Sequence, residues 1–480
     1  MNLNLINLIQ DIKNEEINGV ISSLCLPSTK IYLVGGYLRD KLLGKESPDR
    51  DYVVRGESAA GFARKFADKT DGYFVLLDDE FDIARVVMPD KVNYVDFARC
   101  FGEDIYDDLN RRDFTINALA LPICTDEAKI IDRHDGIGDL NKKIVRAISE
   151  QNLIDDPLRC LRAFRFSAQL GFAIDEKTNS YIQKHLPLIQ NVANERILAE
   201  LIKLFEPEHC SENLKKMKEN GLLFYIFPEL EVQESVPPNL HHHLNLIDHS
   251  IETVRQVEQI LYTLPEWVQE QLFSEQANGI KRISLLKIAA LLHDLGKPQT
   301  WQIDEEGRHR FIKHDDVGAK LAEEPLKRLK FSKNAAKYII KLIRHHIYPS
   351  QLIRDRELTT EKAVMKMFRK LEDESVDVIV LAMADRLSAR GQEITDEVIN
   401  ANISGLRGFL EEYKKTKEKV DSIPKLLSGH DIMEILGLPA GPRIGRVLKA
   451  LREGQLAGDV NTHEEAVAFI KGLEFKENRD

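Results

Sequence analysis

Residues 30–55 read KIYLVGGYLRDKLLGKESPDRDYVVR. The run 30–34 is apolar and of strand length. Gly35-Gly36 then turns the chain, and 37–43 has helical character with Gly44 as its stop. A second strand, 52–55, follows directly on Asp49 and Asp51. The period of two along a strand puts both carboxylates on one face. Side by side they repel, and each raises the other's pKa unless a cation sits between them. A hard divalent ion such as Mg²⁺ suits such oxygen ligands and leaves room for substrate phosphates. Two such ions, about 3.5–4 Å apart, would activate a hydroxyl and stabilise a leaving pyrophosphate. The paired glycines let backbone N–H groups approach phosphates at a helix start. Either motif alone is more often a surface turn or a solvated acidic face. The order strand, Gly-Gly, helix, Asp-x-Asp, strand favours a catalytic reading.

Further strand candidates lie at 73–77, 83–88 and 92–97, each rich in Val, Ile, Tyr or Phe. Asp96, on the last of these, is a candidate third ligand and catalytic carboxylate. The segment 107–118, DDLNRRDFTINA, offers a cation, an acceptor and an amide in Arg112, Asp113 and Asn117. From about residue 150 the apolar period becomes helical and stays so. In 157–166 Leu158, Leu161, Phe164 and Phe166 mark one side of a helix, and Arg159 and Arg162 another. The expected fold class is α+β: a small head with a mixed or antiparallel sheet, then all-α segments. The expected divisions are 1–148, 149–235, 236–415 and 416–480. Polar, Pro-containing stretches at 232–240 and 416–425 read as linkers.

The 480 residues are 43% hydrophobic and 30% charged, with a net charge of −11. No apolar run reaches the ~20 residues of a membrane helix, and residues 1–16 lack the features of a signal peptide. Five scattered cysteines with no CxxC pair predict a reducing cytoplasm without disulfides. The acidity argues against a nucleic-acid binder, although a local basic groove can sit on an acidic chain.

These motifs resemble, in order and spacing over residues 30–205, the class II tRNA nucleotidyltransferase and bacterial poly(A) polymerase family. GG-x-x-RD with Asp-x-Asp resembles its metal motif, 111–118 (RRDFTINA) its ribose motif, and 135–148 the connector after it. Residues 155–159 (DDPLR) resemble its amino-acid template, and 194–203 (NERILAELIK) the neck motif that follows. The resemblance implies a nucleotidyltransferase head, a neck that reads the base, and a body and tail that hold tRNA. It implies that Asp49 and Asp51 bind Mg²⁺, and that Gly35, Gly36 and Arg39 cradle a triphosphate. Arg112, Asp113 and Asn117 would hold the nucleotide, with Arg162 nearby. Asp156 and Arg159 would select the base, one accepting and the other donating hydrogen bonds along its Watson–Crick edge. Asp155, standing where the family has Glu, would orient Arg159. Residues 98–110 are short where members completing CCA carry a longer flexible loop, which resembles the CC-adding subtype. The expected partners are then the tRNA 3′ end, CTP and in a fuller reaction ATP, with no membrane. A separate A-adding enzyme would finish the end.

Histidines form a second ordered series: His249, His293-Asp294 after an apolar run, His314, His345-His346, and later Asp385. Ligands drawn from several helices are how an all-α bundle builds a metal site. The series resembles the HD superfamily of metal-dependent phosphohydrolases, with His249, His293, Asp294 and Asp385 as core ligands. His314 and one of His345 and His346 would complete a second metal position. A transition metal or Mg²⁺ would activate water there. His241-His242-His243 is either linker or an addition to this site. Residues 429–448 run from a Gly-rich turn into a basic helix, whose Arg443 and Arg446 would meet a tRNA phosphate or solvent. The competing readings are an A-adding enzyme, a poly(A) polymerase, an HD hydrolase with a non-catalytic RNA-binding head, and an RNA-binding scaffold.

Overall fold

The structure, a computed structural model, describes residues 3–125, 127, 129–238, 243–354, 360–391, 394–422, 424–457 and 459–473. His241 and His242 lie outside them. The chain forms two compact units, Met1–Ile347 with Ala384–Thr395, and Tyr348–Met383 with Asp396–Asp480.

The first unit opens with a seven-stranded sheet. Its strands are β1 (Lys30–Val34), β2 (Asp49–Arg55), β3 (Tyr73–Asp78), β4 (Ile83–Val87), β5 (Tyr94–Arg99), β6 (Leu119–Pro122) and β7 (Ile131–Asp132). They lie in the order β3-β4-β5-β2-β1-β6-β7. Only β2 and β5 are parallel, so the sheet is mixed as expected. Parallel neighbours need a crossover. Here it includes helix Ala59–Thr70, capped by the Ser58 side chain on the N–H of Gly61. Phe62 and Phe66 of this helix pack on Phe97, which stacks on Tyr52 at 5.4 Å. Phe97 and Tyr52 alternate with the carboxylates, so this apolar layer covers the face opposite Asp49 and Asp51. On the carboxylate face, Tyr32, Val34, Val53, Ala118 and Ala120 form a buried cluster with Ile105 and Leu109.

Two helices, Leu3–Asn14 and Glu16–Leu24, brace the back of the sheet. Asn18 accepts from the Tyr52 hydroxyl at 2.6 Å, and Glu15 accepts from Tyr37 and Arg50. Cys25, just beyond the second helix, is disulfide-bonded to Cys124, beyond β6, with their Cα atoms 6.3 Å apart. This corrects the expectation of five free thiols. The partners are separated by 99 residues and meet only because β1 pairs with β6.

Beyond the sheet the unit is helical, with three small two-stranded ribbons. Helix Leu158–Leu170 ends at Gly171 (φ 68°) and packs on helix Asn194–Phe205. Residues 228–235 form a 3₁₀ helix with Leu230 and Gln233 buried, so that part of the expected linker 232–240 is packed structure. Helices Leu246–Leu261, Arg282–Leu292 and Lys333–His345 form a bundle in which every residue from Ile283 to Leu292 is buried.

In the second unit, helix Asp396–Ser422 runs through most of the other expected linker, 416–425. Helices Gly429–Leu436, Pro442–Ala457 and His463–Lys471 enclose a core of Ile432, Val447, Leu451 and Ala466. Reciprocal capping boxes at Ser428/Asp431 and Thr462/Glu465 start the first and third. Pro442 begins the second, with Arg443 half-buried and Arg446 exposed. Among the described residues no helix is long and apolar enough to cross a membrane.

Candidate active site and metal centre

Asp49 and Asp51 stand on one face of β2, and the parallel register sets Asp51 directly opposite Asp96 of β5. All three predicted carboxylates therefore share one place. Gly35 (φ 74°) ends β1 beside them, where a Cβ would lie 3.0 Å from Asp51 Oδ2 and 3.5 Å from Arg112. Gly35 thus serves both a backbone shape and a close approach that side chains forbid. Helix Gly36–Leu42 starts there and carries Arg39. Burial pushes the Asp51 pKa up to about 6; Arg112 pulls it down, while Asp96 and Asp49 add to the rise. A buried carboxylate that holds its proton this strongly gains from a cation beside it, which a divalent ion supplies.

Asp96 is not bare. Arg85 of β4 donates from Nε and Nη2 to its two oxygens at 2.7 and 2.8 Å. Arg85 was absent from the sequence reading, and only the β4–β5 register reveals it. The turn between the two strands fixes that register: Asp90 accepts from the N–H groups of Val92 and Asn93.

The predicted nucleotide-binding residues Arg39, Asp113, Asn117 and Arg162 form one network. Arg39 donates to Asn117 at 2.8 Å, and Asn117 to Asp113 at 3.0 Å. Arg162 clasps the other Asp113 oxygen at 2.6 Å and also reaches Glu200. Burial works against the charge on Asp113, but Arg162 and Asn117 hold its pKa below the usual value. Burial pushes Arg165 down to about 10 despite Glu200. The guanidiniums of Arg165, Arg39 and Arg162 surround the Phe166 ring at 3.7, 5.1 and 5.4 Å. Asn152 donates to the carbonyls of Asn110 and Arg112, fastening the helical region to the sheet region.

Asp156 and Arg159, expected to read the base, each have a partner in the structure. Asp156 accepts from Arg196 at 2.9 Å, and Arg159 donates to the Asn152 carbonyl. Asp155 accepts from Gln151, one helical turn away, in place of orienting Arg159. The shorter Asp side chain is satisfied within its own helix. Residues 98–110 hold the end of β5 and helix Ile105–Asn110, capped by Asp104.

The histidine series converges. Asp294 Oδ2 lies 3.5 Å from His249 Nε2 and 3.2 Å from His293 Nε2, while His249 Nε2 is 3.1 Å from Asp385 Oδ1. Asp294 Oδ1 faces His314 and His346, whose Nε2 atoms are 3.3 Å apart. Among the described residues, His249, His293 and Asp385 form one candidate metal group, and His293, Asp294 and His346 another. His346, rather than the adjacent His345, enters the cluster. Nδ1 of His293, His314 and His346 each meets a backbone carbonyl at 2.7–2.8 Å, which aims Nε2 inward. His293 Nε2 and Asp294 Oδ1 are buried with no hydrogen-bond partner among the described residues. Burial disfavours a charged His293, yet Asp294 and Asp385 raise its pKa to about 10; burial and the other histidines push His346 down to about 3. Imidazoles and carboxylates packed this closely in one buried cavity suit a cation. Gly296 makes the approach possible: a Cβ there would fall 2.1 Å from the His314 carbonyl. Lys297, also unforeseen, pairs with Asp294 at 2.6 Å. His243 is exposed and outside the cluster.

Three family profiles match the chain: poly A polymerase head domain at 31–146, probable RNA and SrmB-binding site of polymerase A at 171–234, and HD domain at 246–390. An A-adding tRNA nucleotidyltransferase of Deinococcus radiodurans is 33% identical over 449 residues, 92% of this chain and 94% of that one. A CC-adding tRNA nucleotidyltransferase of Thermus thermophilus is 33% identical over 448 residues, 91% and 92%. The fold is similar to that of the Thermotoga maritima CCA-adding enzyme complexed with tRNA, at 21% identity, 97% of each chain and a TM-score of 0.59. On the sheet, its carboxylates, the histidine cluster and these full-length similarities, the chain belongs to the tRNA nucleotidyltransferase and poly(A) polymerase family, as a member that carries an HD domain.

Proposed function

We propose that this chain adds cytidines from CTP to the 3′ end of tRNA without a nucleic-acid template, stopping at CC, in the cytoplasm and with Mg²⁺ as its ion. The observation that carries the CC reading is the tight connection from the Asp96 strand to Arg112. Most of residues 98–110 are strand end or capped helix, and Asn152 holds the far end of that helix. A segment so tied is poorly suited to swing and remake the base pocket for adenine. The A-adding and CC-adding relatives are equally similar, at 33% each, and so do not decide between bases.

In this reading Asp49 and Asp51 hold the divalent ions, which would activate the tRNA hydroxyl and stabilise the pyrophosphate. The N–H groups after Gly35 and the cations of Arg39 and Arg112 bind the triphosphate. The Asp113–Asn117–Arg162 network fixes the wall against which the ribose rests. Asp156 and Arg159 present an acceptor and a donor to the base, with Arg196 holding Asp156. Arg159, half-exposed, lends positive potential to an acidic chain, so tRNA binding is salt-sensitive. The divisions 1–148, 149–235, 236–415 and 416–480 serve as head, neck, HD and tail. The terminal adenosine then comes from a separate activity.

Purified protein is incubated with tRNA lacking its CCA end, Mg²⁺, and CTP with or without ATP, and the 3′ ends are sequenced. Ends that stop at CC with ATP present support the proposal. Ends reaching CCA, or long A tails, reject the CC reading while keeping nucleotidyl transfer.

The Asp294-centred cluster favours a second activity, hydrolysis of a phosphomonoester or 2′,3′-cyclic phosphate. Its test is phosphate release by Asp49→Ala protein supplied with Mn²⁺ or Ni²⁺, against His293→Ala.

A further inference from the structure

The carboxylate site contains a cation that the handling of nucleotide leaves unexplained. Arg85 lies opposite Asp96 in the antiparallel β4–β5 pair, and Asp96 lies opposite Asp51 in the parallel β5–β2 pair. One line across three strands thus reads cation, anion, anion. The Arg85 fork engages both oxygens of Asp96 at 2.7 and 2.8 Å. Its plane stacks over the Tyr94 ring at 4.0 Å. Tyr94 stands opposite Asp49 in the β2–β5 register, and burial together with the neighbouring Asp49 carboxylate raises the tyrosine's pKa. One guanidinium therefore touches the third carboxylate directly and the first through an aromatic ring.

The charge count shows what this does. Asp49, Asp51 and Asp96 together would present three negative charges to incoming ions. A bidentate guanidinium satisfies a carboxylate in one fixed plane, which leaves Asp49 and Asp51 as the anions open to metal. Resting on the nucleotidyltransferase reading, we propose that Arg85 is a positioning residue, which withholds Asp96 from the metal, sets the charge of the site, and steadies Asp49 through Tyr94. Lysine cannot replace it fully, since an ammonium carries the charge without the planar fork.

The test is a Mn²⁺ titration of the free, full-length protein by electron paramagnetic resonance, alongside incorporation kinetics. Ions lost on Asp49→Ala define the head site and separate it from the histidine cluster. Arg85→Gln frees Asp96, so head-site affinity is expected to rise on the order of tenfold. Its kcat for cytidine addition falls at least as much, with little change in KM for CTP. Asp96→Asn leaves Arg85 uncompensated, and affinity falls by a similar factor. The double variant returns affinity to near the wild-type value, because both charges are gone. Arg85→Lys keeps the affinity and loses part of kcat. Opposite signs in the two single variants cannot come from damage to the sheet, which would weaken binding in both. Affinity unchanged or lowered in Arg85→Gln, in protein that melts normally in EDTA, overturns the proposal. If Arg85→Gln does not fold, the double variant and Arg85→Lys carry the same test. If even the wild type incorporates no nucleotide, the nucleotidyltransferase reading fails, while the metal titration still judges the charge relation.

Discussion

Asp51 binds its proton up to about pH 6 in the folded chain, against an ordinary carboxylate value near 4. Between those values the folded state holds more protons than the unfolded one, so Asp51 lowers stability as pH rises through that window. Its partial exposure reduces the nominal shift to about 1–2 kcal/mol. Asp51→Asn removes this cost. In EDTA the variant is expected to melt above the wild type at pH 7 and level with it at pH 4, while incorporation falls by roughly a thousandfold or more. A variant that melts below the wild type at pH 7 would contradict the repulsion argument. Asp156 supplies a prediction of another kind. Arg196 pins its carboxylate, so Arg196→Ala is expected to loosen base choice. Competition between CTP and UTP should show discrimination reduced on the order of tenfold, the scale of one charged hydrogen bond. Unchanged discrimination would assign Arg196 to packing alone.

Among the elements, the N-terminal helical pair shows how remote parts of the sequence meet. The Cys25–Cys124 bond closes a loop of about a hundred residues around the sheet. Such a closure is worth about 2–4 kcal/mol. Cys124→Ser, or reduction of the wild type, is expected to lower the unfolding free energy from urea titration by that amount, with the midpoint falling accordingly; equal midpoints with and without reductant would show the bond to be energetically silent. Spacing in the sequence reveals nothing of this pair, because the contact depends on which strands are neighbours. β6 and the two-residue β7 escaped the sequence reading, but the other five strands of the sheet were legible as short runs of β-branched and aromatic residues. So was the facing pair Asp49 and Asp51, whose spacing equals the strand period. Arg85 was not, because its role appears only when the turn at 88–93 fixes the register. His346 against His345 was decidable in principle: the buried positions 335, 339, 342 and 343 continue at helical spacing to 346. Lys297 and Gly296 follow His293-Asp294 directly, but their meaning rests on the approach of the His314 helix.

At the scale of the whole molecule, two candidate ion-binding centres of different chemistry stand on one chain. Carboxylates alone make the first, and histidines with Asp294 and Asp385 make the second. Imidazole suits transition metals better than Mg²⁺ does. Mn²⁺ at about a hundred times its dissociation constant is expected to stabilise metal-stripped protein by roughly 2.7 kcal/mol through the histidine cluster. Asp51→Asn should keep most of this gain in thermal melts, and Asp294→Ala should lose it. Loss in both variants would mean that the centres are not independent.

The parallel pairing of β2 with β5 within the seven-stranded sheet also bears on how the protein is made. A chain leaving the ribosome exposes Asp49 and Asp51 well before Asp96 and Arg85 exist, and before β6 arrives to flank β1. Until β5 emerges, β2 has no partner on that side and the acidic pair has no counterpart. A truncated product ending in the β3–β4 hairpin would therefore be an incomplete sheet, with Arg85 present but its partner Asp96 still missing. In that fragment nothing joins β4 to β2, so the sheet closes only once β5 has been made.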